Sequence, residues 1–153
     1  MIKTIRKIVK ETLDKLDMNS VDALELIMRT GKAETGYRAL MGYGKGNPAL
    51  GFWQVEPATM FDTWENYVMY RPKIRDVLWQ LGLNDGDMKF SLLTNIALQA
   101  AFCRLKYRRD SNPIPPASNM VAQAEYWKRV YNSELGRGTI EHFLKANDYE
   151  QNN

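Results

Sequence analysis

The segment "MKFSLLTNIALQAAFCRLKYRR", residues 88–109, is the most apolar run in the chain and decides its class. Leu92, Ile96, Ala100 and Cys103 recur at three- and four-residue spacing, and Leu93, Ala97, Ala101 and Leu105 fill the stripe beside them. A helix that is apolar around most of its circumference is a buried one against which others pack. The pattern predicts one continuous central helix over residues 88–108, with Asn95 in its middle as a structural polar group that must find partners in or near the core. Its cationic end, "RLKYRRD" over residues 104–110, reads as a solvated helix terminus whose cations face the C-terminal dipole.

The flanking segments carry the same 3.6-residue period. Ile5, Val9, Thr12, Leu13 and Leu16 alternate with Lys and Glu and predict an amphipathic helix over residues 2–16. Asn19 or Ser20 can cap a second helix that turns Val21, Leu24, Ile27 and Met28 inward and ends near Glu34, ahead of Gly36. Four glycines and a proline make residues 42–51 a loop. Proline is at home in a first helical turn, so short helices follow over residues 57–70 and 72–81. "MVAQAEYWKRVYN", residues 120–132, predicts a last helix that stops before "GRG". With no strand pattern of any length, the expected class is mainly α: several helices around a buried central one, with a glycine-rich loop at one side.

The 153 residues, 44% hydrophobic and 25% charged, suit a single domain that buries about two thirds of the surface its unfolded chain exposes. The expected organisation is an N-terminal helix packed on the domain (1–18), a core (19–146) and a flexible tail (147–153). Cys103 is the only cysteine and sits among apolar neighbours, which excludes an internal disulfide and points to a buried structural thiol. A single histidine, His142, argues against a multi-histidine metal site and a Ser-His-Asp arrangement. "NDGD", residues 84–87, lacks the remaining spacing of a calcium loop. No metal and no cofactor is expected. The net charge of +3 is too small to argue for nucleic acid as a partner. The opening "MIKTIRKIVKETLDKL" has a cation every few residues and no apolar run, so neither a signal peptide nor membrane insertion is expected.

The chemistry concentrates in "AETGYRALMGYGKGNPALGFWQVEPAT", residues 33–59. Glu34 ends an apolar helix, and "GFWQ", residues 51–54, offers aromatic faces and a neutral hydrogen-bonding amide. A sugar-cleaving general acid needs a carboxyl in a poorly solvated setting beside a groove with groups of those kinds. An ordinary helix end followed by a loop has the same composition. Trp64, Trp79 and Trp127 read as core.

The order of the pieces carries more. Glu34-Thr35, then Gly51-Phe52-Trp53-Gln54, then Pro57-Ala58-Thr59, then Asn95-Ile96, then Tyr131-Asn132 ahead of Gly136 and Gly138 resembles the soluble lytic transglycosylase family. That family has a lysozyme-like helical domain with motifs of the type E-S, G-L-M-Q-x-x-P-x-T, N-I-x-x-G-x-x-Y-L and Y-N-A-G-x-G. The resemblance spans residues 24–144. It implies cleavage of the bond between N-acetylmuramic acid and N-acetylglucosamine in peptidoglycan, with 1,6-anhydro product ends. Residue by residue it implies Glu34 as catalytic acid and base and Tyr131 as the tyrosine bonded to that carboxyl. Thr35, Gly51, Phe52, Trp53, Gln54 and Asn132 are implied at the substrate, and Asn95 as a structural polar residue.

Departures from the pattern shape further expectations. Phe52 and Trp53 replace Leu and Met and would enlarge the aromatic surface at the groove. Gln99 and Phe102 stand where Gly and Tyr are usual. "YNSELGRG" is two residues longer than the motif. Glu56 stands where an apolar residue is usual and is a candidate second carboxylate for hydrolysis, as in the goose-type lysozymes of the same fold; its other reading is a residue at the start of the next helix, turned toward backbone amides. Asp62 is a weaker candidate of the same kind. The expected setting is a bacteriophage protein made in the host cytoplasm, then carried in the virion with tail proteins or released to the wall through a holin. An inactive virion structural protein of the same fold is the alternative.

Overall fold

The computed structural model describes residues 1–42, 46–132 and 136–149. Among them the chain is mainly α, with helices α1 (Ile2–Lys15), α2 (Val21–Glu34), α3 (Pro57–Asn66), α4 (Pro72–Gln80), α5 (Met88–Thr94), α6 (Ile96–Arg108), α7 (Met120–Tyr126) and α8 (Ile140–Ala146). A 3₁₀ turn, Val68–Tyr70, follows α3, and a π-helical segment, Trp127–Asn132, continues α7. Among the described residues, extended pairing is confined to the isolated bridges Met41 with Leu50 and Leu50 with Val55. No helix among the described residues is long and apolar enough to cross a membrane.

The expected helix over residues 88–108 is two helices. Asn95 breaks it: the side-chain oxygen accepts from the amide of Leu98 at 3.0 Å as the N-cap of α6, and Nδ2 donates to the carbonyl of Leu81 at 2.7 Å. An Asn side chain competes for backbone groups and favours such a cap over a helix interior. The central element is therefore α6, which packs against α1, α2, α3, α5 and the π segment. Leu98, Ala100, Ala101, Cys103 and Leu105 are fully buried on it, and Cys103 is the structural thiol its neighbours suggested. Its C-terminal part is not a solvated end: Arg104 and Tyr107 are buried and Lys106 is half-buried.

Of the two candidate caps, Ser20 is the one that caps α2, accepting from the amide of Ala23 at 3.0 Å. Leu26 and Ile27 are fully buried on this helix, whereas Val21, at its first position, points to solvent. Prolines open α3 and α4. Helix α8 was not expected. Thr139 caps it by accepting from the amide of His142 at 3.0 Å, and Phe143 buries it against α2 and α7. Part of the expected flexible tail is held as well, since Asn147 Nδ2 donates to the carbonyl of Arg29 at 3.1 Å. Residues 150–153 lie outside the described residues.

Candidate active site

Glu34 is the last residue of α2, where the helix runs into a cavity of about 630 Å³. The cavity is assembled from segments distant in sequence. The turn after Gly51 contributes Gln54, the start of α3 contributes Glu56, α6 contributes Lys106, and the π segment contributes Tyr131 and Asn132. π-helical segments recur at functional sites because the extra residue re-aims side chains. Here the segment sets Trp127 behind Glu34 and Tyr131 in the cavity wall.

Burial pushes the Glu34 carboxyl up to about 7, because removal from water penalises the charged form most. Three groups act against that rise: the indole N–H of Trp127, which donates to Oε1 at 3.1 Å, the Lys106 cation, and His142. His142 also meets the carbonyl of Ala33 through Nε2 at 2.7 Å, so α8 clamps the end of α2. The carboxyls of Asp14, Glu25, Asp62 and Asp110 move the other way, each lowered by a hydrogen bond from a Lys or Arg side chain. A carboxyl that holds its proton near neutrality at the edge of a polar cavity has the chemistry to donate that proton to a group bound there.

The turn at residues 51–54 is held by side chains from three other elements. Thr35 Oγ1 donates to the carbonyl of Phe52 at 2.8 Å, and Gln99 of α6 accepts from the amide of Phe52 at 3.1 Å while donating to the carbonyl of Leu93 at 3.1 Å. The Tyr131 hydroxyl donates to the carbonyl of Trp53. Gly51 has φ +80° and presses so closely on the Gln99 side chain that a Cβ has no room. Gln54 follows at φ +51°, its Nε2 donating to the carbonyl of Gly51 at 3.0 Å.

These contacts correct several expectations. Tyr131 does not hydrogen-bond Glu34; its hydroxyl donates instead to the carbonyl of Trp53 in the turn. Trp53 is fully buried and donates its indole N–H to the carbonyl of Ile27 at 2.8 Å, so it adds no aromatic face to the groove. Phe52 is buried beside it, with ring centroids 6.2 Å apart, and both pack edge-on against Tyr37. Thr35, Gly51, Phe52 and Trp53 are thus the frame of the site, while Gln54 and Asn132 line the cavity. Asn132 Oδ1 accepts from Lys128 Nζ at 2.9 Å.

Glu56 stands at the N-cap of α3, as one reading expected, but its side chain makes no capping bond and lines the cavity. Asp62 is elsewhere engaged, in an ion pair with Arg109 at 2.6 Å. Ser133, Glu134 and Leu135, which hold the two-residue extension, and Tyr43 to Lys45 of the glycine-rich loop lie outside the described residues.

Two site residues escaped the sequence reading. Trp127, taken as core, is buried but spends its one polar atom on Glu34. Lys106 reads as part of a surface cluster, yet its Nζ donates to the carbonyl of Tyr131 at 2.6 Å and lies 4.4 Å from the centre of that ring. A signal existed: Lys106 lies seven residues after Gln99 and three after Cys103, on a stripe that is otherwise buried.

No family model matches the chain, and no curated protein or solved structure is found similar to it.

Proposed function

We propose that the protein is a lysozyme-like peptidoglycan-cleaving enzyme, a lytic transglycosylase acting between N-acetylmuramic acid and N-acetylglucosamine. The observation that carries this reading is the desolvated Glu34 carboxyl, held by Trp127 at the wall of a cavity of about 630 Å³, a size that suits sugar rings. Glu34 protonates the glycosidic oxygen as the bond to C1 of the muramoyl sugar breaks. The resulting carboxylate then takes the proton of the C6 hydroxyl as that oxygen bonds to C1, which closes a 1,6-anhydro ring, restores the acid and consumes no water. Gln54 and Asn132 supply neutral hydrogen bonds to hydroxyl and acetamido groups.

A hydrolytic second reading is favoured by Glu56, which lines the same cavity with no capping bond to occupy it. A carboxylate across the cleaved bond would activate water and leave reducing ends. Mass spectrometry of digested peptidoglycan separates the two: anhydro ends, lighter by one water and unchanged in Glu56→Gln, are the expected product. Hydrated ends that vanish in Glu56→Gln would make the protein a lysozyme. In a zymogram, Glu34→Gln should lose about two to four orders of magnitude of activity; a parent chain that clears no peptidoglycan would instead support the inactive virion protein. The setting we propose is a bacteriophage, with the glycan strands as substrate and tail proteins or a holin giving access to the wall.

A further inference from the structure

Across α6 from the Glu34 cavity lies a second cavity, of about 530 Å³, walled by the start of α2, the end of α6 and the loop that follows it. Lys106 lines the first cavity, whereas Arg104, Tyr107 and Arg108 line the second, so the helix itself divides them. Arg104 is only 6% exposed. Its Nε donates to the carbonyl of Met18 at 3.1 Å, and its two terminal nitrogens have no hydrogen-bond partner among the described residues.

Neither acid that lines this cavity pairs with Arg104 or Arg108. Asp22 accepts from the amide of Ala117 at 2.7 Å. Asp110 is bound by Arg129 at 3.3 Å and by the amide of Asn112 at 3.1 Å. Arg108, one turn after Arg104, makes no ion pair among the described residues. Burial and the Arg108 cation both hold the Arg104 guanidinium below its ordinary range, and Arg104 makes no ion pair among the described residues. The terminal nitrogens of Arg104 are not among the sealed-in polar atoms that lack a partner; they open on the cavity. A planar guanidinium with two free donors facing a polar cavity matches the two-oxygen edge of a phosphate or carboxylate.

We propose that this cavity binds an oxyanion borne on a larger polar molecule, gripped by the terminal nitrogens of Arg104 with Arg108 as the second cation. The cavity exceeds a bare ion in size, leaving room for the bearer along Ser20 and Ser111. The site shares no residue with the Glu34 cavity and does not rest on the glycosidase reading.

The test uses the full chain carrying Glu34→Gln, titrated at constant ionic strength with inorganic phosphate, glycerol 3-phosphate and acetate while amide and Arg Nε–H resonances are followed. Saturable shifts of the Arg104 Nε–H and the Asn112 amide are expected. Arg108→Gln, at an exposed position, should weaken binding roughly tenfold, and Arg104→Gln should abolish saturation. Should Arg104→Gln fail to fold, Arg108→Gln decides alone. Tighter binding of glycerol 3-phosphate assigns the oxyanion to a phosphate ester, and tighter binding of acetate assigns it to a carboxylate. Absence of saturation with all three probes, or an affinity unchanged in Arg108→Gln, overturns the proposal.

Discussion

Trp127 donates its indole N–H to Oε1 of Glu34 across 3.1 Å, joining residues 93 positions apart in the chain. The bond favours the ionised carboxyl and so opposes the burial that pushes Glu34 up to about 7. Trp127→Phe keeps a ring in the core and removes the donor. The alkaline limb of kcat/KM should move to higher pH, because the acid then holds its proton longer. A profile that falls in height without moving along the pH axis would reduce Trp127 to packing.

The same carboxyl links activity to stability, since both fall as it loses its proton. Folded Glu34 keeps its proton up to about pH 7, whereas the unfolded residue releases it near 4.5, so the native state binds more protons between those values. Its contribution is complete below pH 4.5 and lost as pH rises through 7, and the full difference is about 3 kcal/mol. Glu34→Gln never acquires the charge. It should unfold at the same temperature as the parent at pH 4 and at a higher one at pH 8, as calorimetry at the two pH values would reveal, while turnover in the parent declines above pH 7.

Tyr131→Phe probes the frame rather than the acid. The buried carbonyl of Trp53 loses its donor, which costs about 1–3 kcal/mol. Turnover should fall because the turn bearing Gln54 is no longer anchored, yet the alkaline limb should stay where it is, since the hydroxyl does not touch Glu34. Denaturant unfolding together with a pH profile checks both halves. A displaced limb would return Tyr131 to the carboxyl.

Gly51 and Gly46 form a natural pair of controls. Both have positive φ, +80° and +79°, but a Cβ at Gly51 meets the Gln99 side chain while one at Gly46 meets open space. Gly46→Ala should carry only the backbone strain, about 1–2 kcal/mol. Gly51→Ala adds displacement of Gln99 from its bonds to Phe52 and Leu93 and should be clearly the more destabilising in urea. Equal losses in the two variants would mean that Gln99 moves aside freely and does not hold the turn.

Local rules made much of this molecule legible. Ser20 caps α2, prolines open α3 and α4, and the spacing of Ala100, Ala101, Cys103 and Leu105 marks α6 as buried, all from interactions within a few residues. Glu34 at a helix end, followed by a glycine-led turn, was readable in the same way. Where local chemistry offered two outcomes the reading erred: the stripe through residues 88–108 says which face is buried, but the cap made by Asn95 ends one helix and begins another.

Burial pattern and composition by themselves determined a mainly helical chain with a central buried helix and an acid at the mouth of a loop. The environment of that acid was decided only by the tertiary structure. Periodicity specifies that a side chain leaves water, not what it meets there. The indole of Trp127, the cation of Lys106 and the imidazole of His142 reach the surroundings of Glu34 from 72 to 108 residues away in sequence. Thr35, Gln99 and Tyr131, from three separate elements, turn Trp53 into the core and Gln54 into the cavity. Desolvation is a property of everything packed around a group, so the proton affinity of Glu34 exists only once the chain has closed around it.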